Sequence, residues 1–124
     1  MSRLFLIGLA GFIGTIGRYW LSAVIAKRYG ETFPVGTLIV NLTGCFLAGL
    51  LFYLLEERFV VNPTARMVVM IGLLGGFTTF SAFGLQTFTL LQNGEFGLAA
   101  LYLTLSNFVG LVLVWGGYTL ARIL

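Results

Sequence analysis

Four apolar stretches, each long enough to cross a bilayer and separated only by short polar connections, account for nearly all of this chain. They run from about Leu4 to Ala26, Thr37 to Leu55, Met67 to Leu91 and Leu98 to Ala121. A spanning helix needs about 20 mostly apolar residues, so 124 residues hold four spans and leave no room for a second domain. Only 9% of the side chains are charged and 59% are hydrophobic, against roughly 25% charged in a soluble domain. In hydrocarbon the backbone has to satisfy its own polar groups, which for segments of this kind means helices. The sequence predicts an all-α integral membrane protein, a single four-helix transmembrane domain over residues 1–124.

The net charge of +3 arises from seven basic and four acidic residues, most of them between the apolar runs. Basicity so placed reads as membrane flanking and not as a nucleic-acid footprint. Cys45 is the sole cysteine and histidine is absent, so an intrachain disulfide and a His/Cys metal cluster are excluded. No nucleophile, base and orienting group come together in a pattern that would support an enzyme. Four spans put Arg3, Arg58, Arg66 and Arg122 on one side of the membrane, with Lys27 and Arg28, joined on one count by Arg18, on the other. Orientation follows the Lys/Arg excess, and this excess is small. Charge alone does not choose between one orientation and insertion both ways.

The third run carries the chemistry. Gly75, Gly76, Thr78, Thr79 and Ser81 fall at its midpoint and make a poor helix interior, which predicts a third helix broken near the bilayer midplane. Freed backbone groups at that depth need protein, water or an ion, and a broken helix is a common way to build an ion site. Close helix packing would explain the two glycines as well. Phe80 and Phe83, three apart, share a helix face after the break, and aromatic edges are electropositive. Asn41 follows Thr37 by four residues in the second run; amide and hydroxyl donors without nearby carboxylates suit an anion. Gln86, Ser106 and Asn107 add polar groups at membrane depth, where interhelical hydrogen bonding is the alternative role. Arg18, alone among charged residues, lies well inside an apolar run, and either attracts anions into a vestibule or extends its head to the interface. No Asp or Glu lies inside a run, which favours a passive or anion-selective path over proton-coupled transport.

Gly11-x-x-Gly14-x-x-x-Arg18-Tyr19, Gly36-Thr37-Leu38-x-x-Asn41-x-x-Gly44 and Gly75-Gly76-Phe77-Thr78-Thr79-Phe80-Ser81-x-Phe83 stand in that order on the first three runs. Together they resemble the Fluc/CrcB family of bacterial fluoride channels, over essentially the whole chain. The resemblance implies an antiparallel, dual-topology homodimer in the cell inner membrane, with two narrow pores that export fluoride passively. By motif position it implies that Asn41 donates to fluoride and that Phe80 and Phe83 line the pore, with Thr37, Thr79 and Ser81 in the same set. It implies a structural Na+ on the dimer axis held by the backbone carbonyls of Gly75 and Thr78, while the vestibule role of Arg18 rests on its own position. Ala82 stands where the family often has threonine, Gln86 where it often has glutamate, and Phe77 is bulkier than the pattern. A small multidrug resistance-type exporter shares the four-span plan, but such proteins resemble one another in a first-span glutamate, and this chain has Arg18 there instead.

Overall fold

The computed structural model describes residues 2–30 and 32–124. Among these residues four helical spans, Ser2–Tyr29, Val35–Arg58, Pro63–Gln92 and Phe96–Ile123, are long and apolar enough to cross a membrane. Each outruns the apolar stretch that announces it. At 24 to 30 residues they measure roughly 36–45 Å at 1.5 Å per residue, more than the ~30 Å hydrocarbon core. Their ends therefore reach the polar interface, where charged and capping residues continue the helix without lowering its stability. The third span begins this way: Asn62 Oδ1 accepts from the Ala65 N–H at 2.8 Å, and Pro63 occupies the first turn, where its missing N–H costs nothing. Gly94, with φ of +75°, makes the tight turn into the fourth span.

Small residues set the helix pairing. A Cβ at Gly14 would collide with the Leu73 carbonyl and lie 2.9 Å from the Phe77 nitrogen, and one at Gly76 would meet the Gly11 backbone. The first and third spans thus touch backbone to backbone, the approach that small residues permit in membranes. The second and fourth spans make the other extensive contact. Leu38, Phe83, Leu90, Ala99 and Tyr102 form the buried cluster, while Leu4, Phe5, Phe12, Leu111 and Trp115 face outward as lipid-facing side chains would. Arg66 of the third span pairs with Glu56 of the second at 2.8 Å, and the Tyr118 hydroxyl of the fourth donates to Glu57 of the second at 2.8 Å.

Three spans are not uniform α-helices. Turns with π-helical bonding occupy Tyr53–Arg58, Val68–Leu73 and Leu105–Val109. In the third span, helical residues end at Phe77; Thr78 (φ −92°, ψ 157°) and Thr79 (φ −150°, ψ 123°) are extended, and the helix resumes at Phe80.

Gly14→Val should cost on the order of 1–3 kcal/mol by overpacking, seen as a lower melting temperature in detergent. Gly8→Ala and Gly97→Ala, where an added Cβ meets nothing within 4 Å, should leave the melting temperature within about a degree, in line with substitutions away from packed features.

Candidate functional site

Two extended residues inside a helical span release backbone groups that a continuous helix would pair. In an unbroken helix the Thr79 N–H would serve the Gly75 carbonyl, the Phe80 N–H that of Gly76, and the Ala82 N–H that of Thr78. The Thr79 N–H instead donates to Asn41 Oδ1 at 3.0 Å, and Asn41 Nδ2 donates back to the Thr79 carbonyl at 3.0 Å. This exchange also settles the amide's orientation, since the flipped form would set donor against donor. Arg18 Nε donates to the Gly76 carbonyl at 3.2 Å, a cation at the C-terminal end of the Leu74–Phe77 helical turn. Thr79 Oγ1 caps the second half-helix by accepting from the Ala82 N–H at 3.2 Å. The Thr78 N–H and hydroxyl both go to the Leu74 carbonyl, at 2.9 and 3.0 Å, and its methyl fills the space that a side chain at Gly44 would need.

The two glycines divide their roles. Gly76 is packed against the first span, whereas a Cβ at Gly75 would meet nothing within 4 Å.

Beside the break lies a groove of about 430 Å³ whose walls include Asn41, Gly75, Thr78, Thr79, Phe80, Phe83, Ser106 and Asn107, with no charged residue among the described residues that line it. The Phe80 and Phe83 rings stand 5.6 Å apart at 42°. Phe83 is buried at 9% exposure while Phe80 is bare at 82%. Tyr102, fully buried, stacks its ring 5.1 Å from Phe83 and donates its hydroxyl to Gln86 Oε1 at 3.0 Å. Ser106 Oγ is buried with no hydrogen-bond partner among the described residues. Asn107 Nδ2 is spent in part on the Leu103 carbonyl of its own helix, at 2.8 Å.

Not all of the sequence-derived residues meet in this groove. Thr37 is buried and lines a separate cleft of about 740 Å³ with Tyr19, Ser22, Gln86, Asn93 and Glu95. Ser81 lies exposed beside the break, its hydroxyl 3.3 Å from Thr79 Oγ1. Arg18 is tied to the break and lines neither space. Tyr102 escaped the sequence reading; its signal was a phenol inside an apolar run, where the hydroxyl has to find a partner.

Residues 5–118 match the family model described as CrcB-like protein, Camphor Resistance (CrcB). The chain belongs to the CrcB family. Among its relatives, a protein of Opitutus terrae is 47% identical over 123 residues, spanning 98% of this chain and 93% of its own length. One from Flavobacterium psychrophilum and one from Aquifex aeolicus are each 41% identical over 122 residues, spanning 98% of both chains. All three carry the name fluoride-specific ion channel FluC. Membership of CrcB decides against the multidrug-type exporter. It also places the interrupted span, the Asn41 exchange and the phenylalanine pair in one CrcB chain with the glycine contacts that hold them.

Thr79→Val keeps the β-branched shape and both backbone bonds to Asn41 but removes the cap on Ala82. Loss of such a cap costs about 1 kcal/mol, so Thr79→Val should melt lower in detergent while Thr79→Ser melts with the wild type.

Proposed function

We propose that this protein is a fluoride-selective passive ion channel of the bacterial inner membrane. It works as an antiparallel, dual-topology homodimer with two pores and a structural Na+, and lets fluoride leave the cytoplasm down its electrochemical gradient. The observation that carries the reading is the groove that Asn41, Phe80 and Phe83 line together, with no charged residue among its described walls, in a chain whose near full-length relatives are named fluoride-specific channels.

Fluoride is small and tightly hydrated, so a pore has to replace its water with donors at short range. Asn41 Nδ2 has two N–H bonds; one is committed to Thr79, and the other is left for the ion. Ser106 Oγ, buried and unpartnered, can rotate its hydroxyl toward the same groove. The ring edges of Phe80 and Phe83 add weak positive potential, and their bulk narrows the path against the larger chloride. With no carboxylate among the described residues of the wall, nothing there repels the anion or couples it to protons.

A second copy is supported by what one copy leaves bare. Phe80 is 82% exposed and Ser81 is exposed beside it, in the middle of a span. A polar segment of irregular backbone is tolerated at that depth only against protein or water. The carbonyls of Gly75 and Thr78 fit a hard cation: they are oxygen donors, and the N–H groups that a helix would give them are bonded to Asn41 and to Thr79 Oγ1. Two copies would present two such carbonyls each. A bound Na+ would supply the positive charge that draws the two interrupted helices together.

In liposomes holding only this protein, fluoride should pass without a proton gradient and chloride should be largely retained. Phe80→Ile, which keeps bulk and loses the ring, should slow fluoride at least about tenfold, roughly 1.4 kcal/mol on the barrier, while Phe5→Ile should do little. Comparable chloride efflux, or undiminished flux through Phe80→Ile, would place the path elsewhere.

With Cys45 replaced by alanine, a single cysteine introduced at Ser2 should be labelled by an impermeant reagent from both sides of the membrane in one preparation, each side reporting about half of the molecules, as a small Lys/Arg bias allows. Labelling from one side alone would exclude dual topology.

A further inference from the structure

The Asn41 exchange reaches beyond the groove it lines. We infer that Asn41 is a positioning residue for the cation: by accepting the Thr79 N–H, it takes away the donor that would otherwise close the Gly75 carbonyl, and so holds that carbonyl open for metal. The inference rests on the proposed Na+ site.

The geometry assigns different atoms to different ions. Oδ1 accepts from the Thr79 N–H at 3.0 Å, and one N–H of Nδ2 donates to the Thr79 carbonyl at 3.0 Å. Of the two, the bond from the Thr79 N–H is the one that keeps this donor away from the Gly75 carbonyl, with residue 79 extended. Were the peptide to fall back to helical dihedrals, the Thr79 N–H would point at the Gly75 carbonyl, four residues earlier, and occupy it. On its side-chain face Gly75 is also unpacked, since nothing stands within 4 Å of a Cβ built there. The neighbouring carbonyl, that of Gly76, is spoken for by Arg18 Nε at 3.2 Å. Oδ1 thus serves the cation indirectly, while the remaining N–H of Nδ2 serves fluoride.

The two functions separate by substitution. Asn41→Asp keeps an oxygen to accept the Thr79 N–H but lacks both N–H donors. Asn41→Leu has similar volume and neither group. The readout is the rise in melting temperature of the purified full-length protein as NaCl replaces N-methylglucamine chloride, since a ligand that binds the folded state stabilises it by mass action. Fluoride efflux is measured in parallel.

Asn41→Asp should lose fluoride flux and keep a half-saturating NaCl concentration within about threefold of the wild type, whereas Asn41→Leu should lose flux and need at least about tenfold more NaCl. A variant that is merely less stable melts lower at every salt concentration and leaves that half-point unmoved. If Asn41→Leu keeps the wild-type sodium response, or Asn41→Asp loses it, the inference is overturned while the Na+ site stands. A wild-type protein indifferent to sodium overturns both. Should Asn41→Leu not fold, the aspartate variant alone decides, by keeping or losing the sodium response.

Discussion

A backbone amide released in the middle of an apolar span has no water to turn to, and leaving it unpaired costs several kcal/mol. Asn41 removes that penalty for Thr79 with two hydrogen bonds from another span, and the surrounding choices depend on it. Gly44, one turn along from Asn41, is bare because Thr78 needs its space. Thr79 spends its hydroxyl on the N-terminus of the second half-helix. Arg18 crosses from the first span to the next freed carbonyl. The second span touches the third far less extensively than the first does, so this pair of bonds is a principal link between them.

Much of the scaffold was legible because its physics is one-dimensional. Hydrophobic length marks a span wherever a chain enters lipid, so all four were visible, and only their ends were misjudged, since helices continue into the polar interface beyond the apolar run. The extended pair at Thr78 and Thr79 falls where two glycines and two β-branched residues weaken the helix together. The partners of the freed groups were harder to read. Spacing of four put Thr37 and Asn41 on one face, yet one helical turn carries them into different spaces. For Arg18, a bond to Gly76 depends on how closely Gly11 and Gly14 let two spans approach, and no local pattern encodes that.

The π-helical turns were not legible at all, because no residue type marks them. Each accommodates an extra residue within the helical cycle and rotates the next stretch of helix about its axis. The turn at Leu105–Val109 contains both Ser106 and Asn107, and both lie along the groove. The turn at Val68–Leu73 ends at the start of the short helical segment that precedes Thr78. Irregular turns therefore flank the groove on two spans, and they set which side chains reach it independently of the 3.6-residue repeat.

The position of the break along its span bears on the proposed pairing of two copies. A parallel dimer could join at any depth, because equivalent residues lie at equal height whatever that height is. An antiparallel pair relates its members by an axis in the membrane plane, and only features on the midplane come back to their own depth. Thr78 and Thr79 stand about equally far from Pro63 and from Gln92. An interruption nearer either end would, on inversion, face a regular stretch of its partner's helix, leaving its open carbonyls opposite a surface with no matching oxygens. In the proposed pair a central interruption would let one sequence supply both halves of a site, and the small Lys/Arg excess of one face over the other does not oppose insertion either way up.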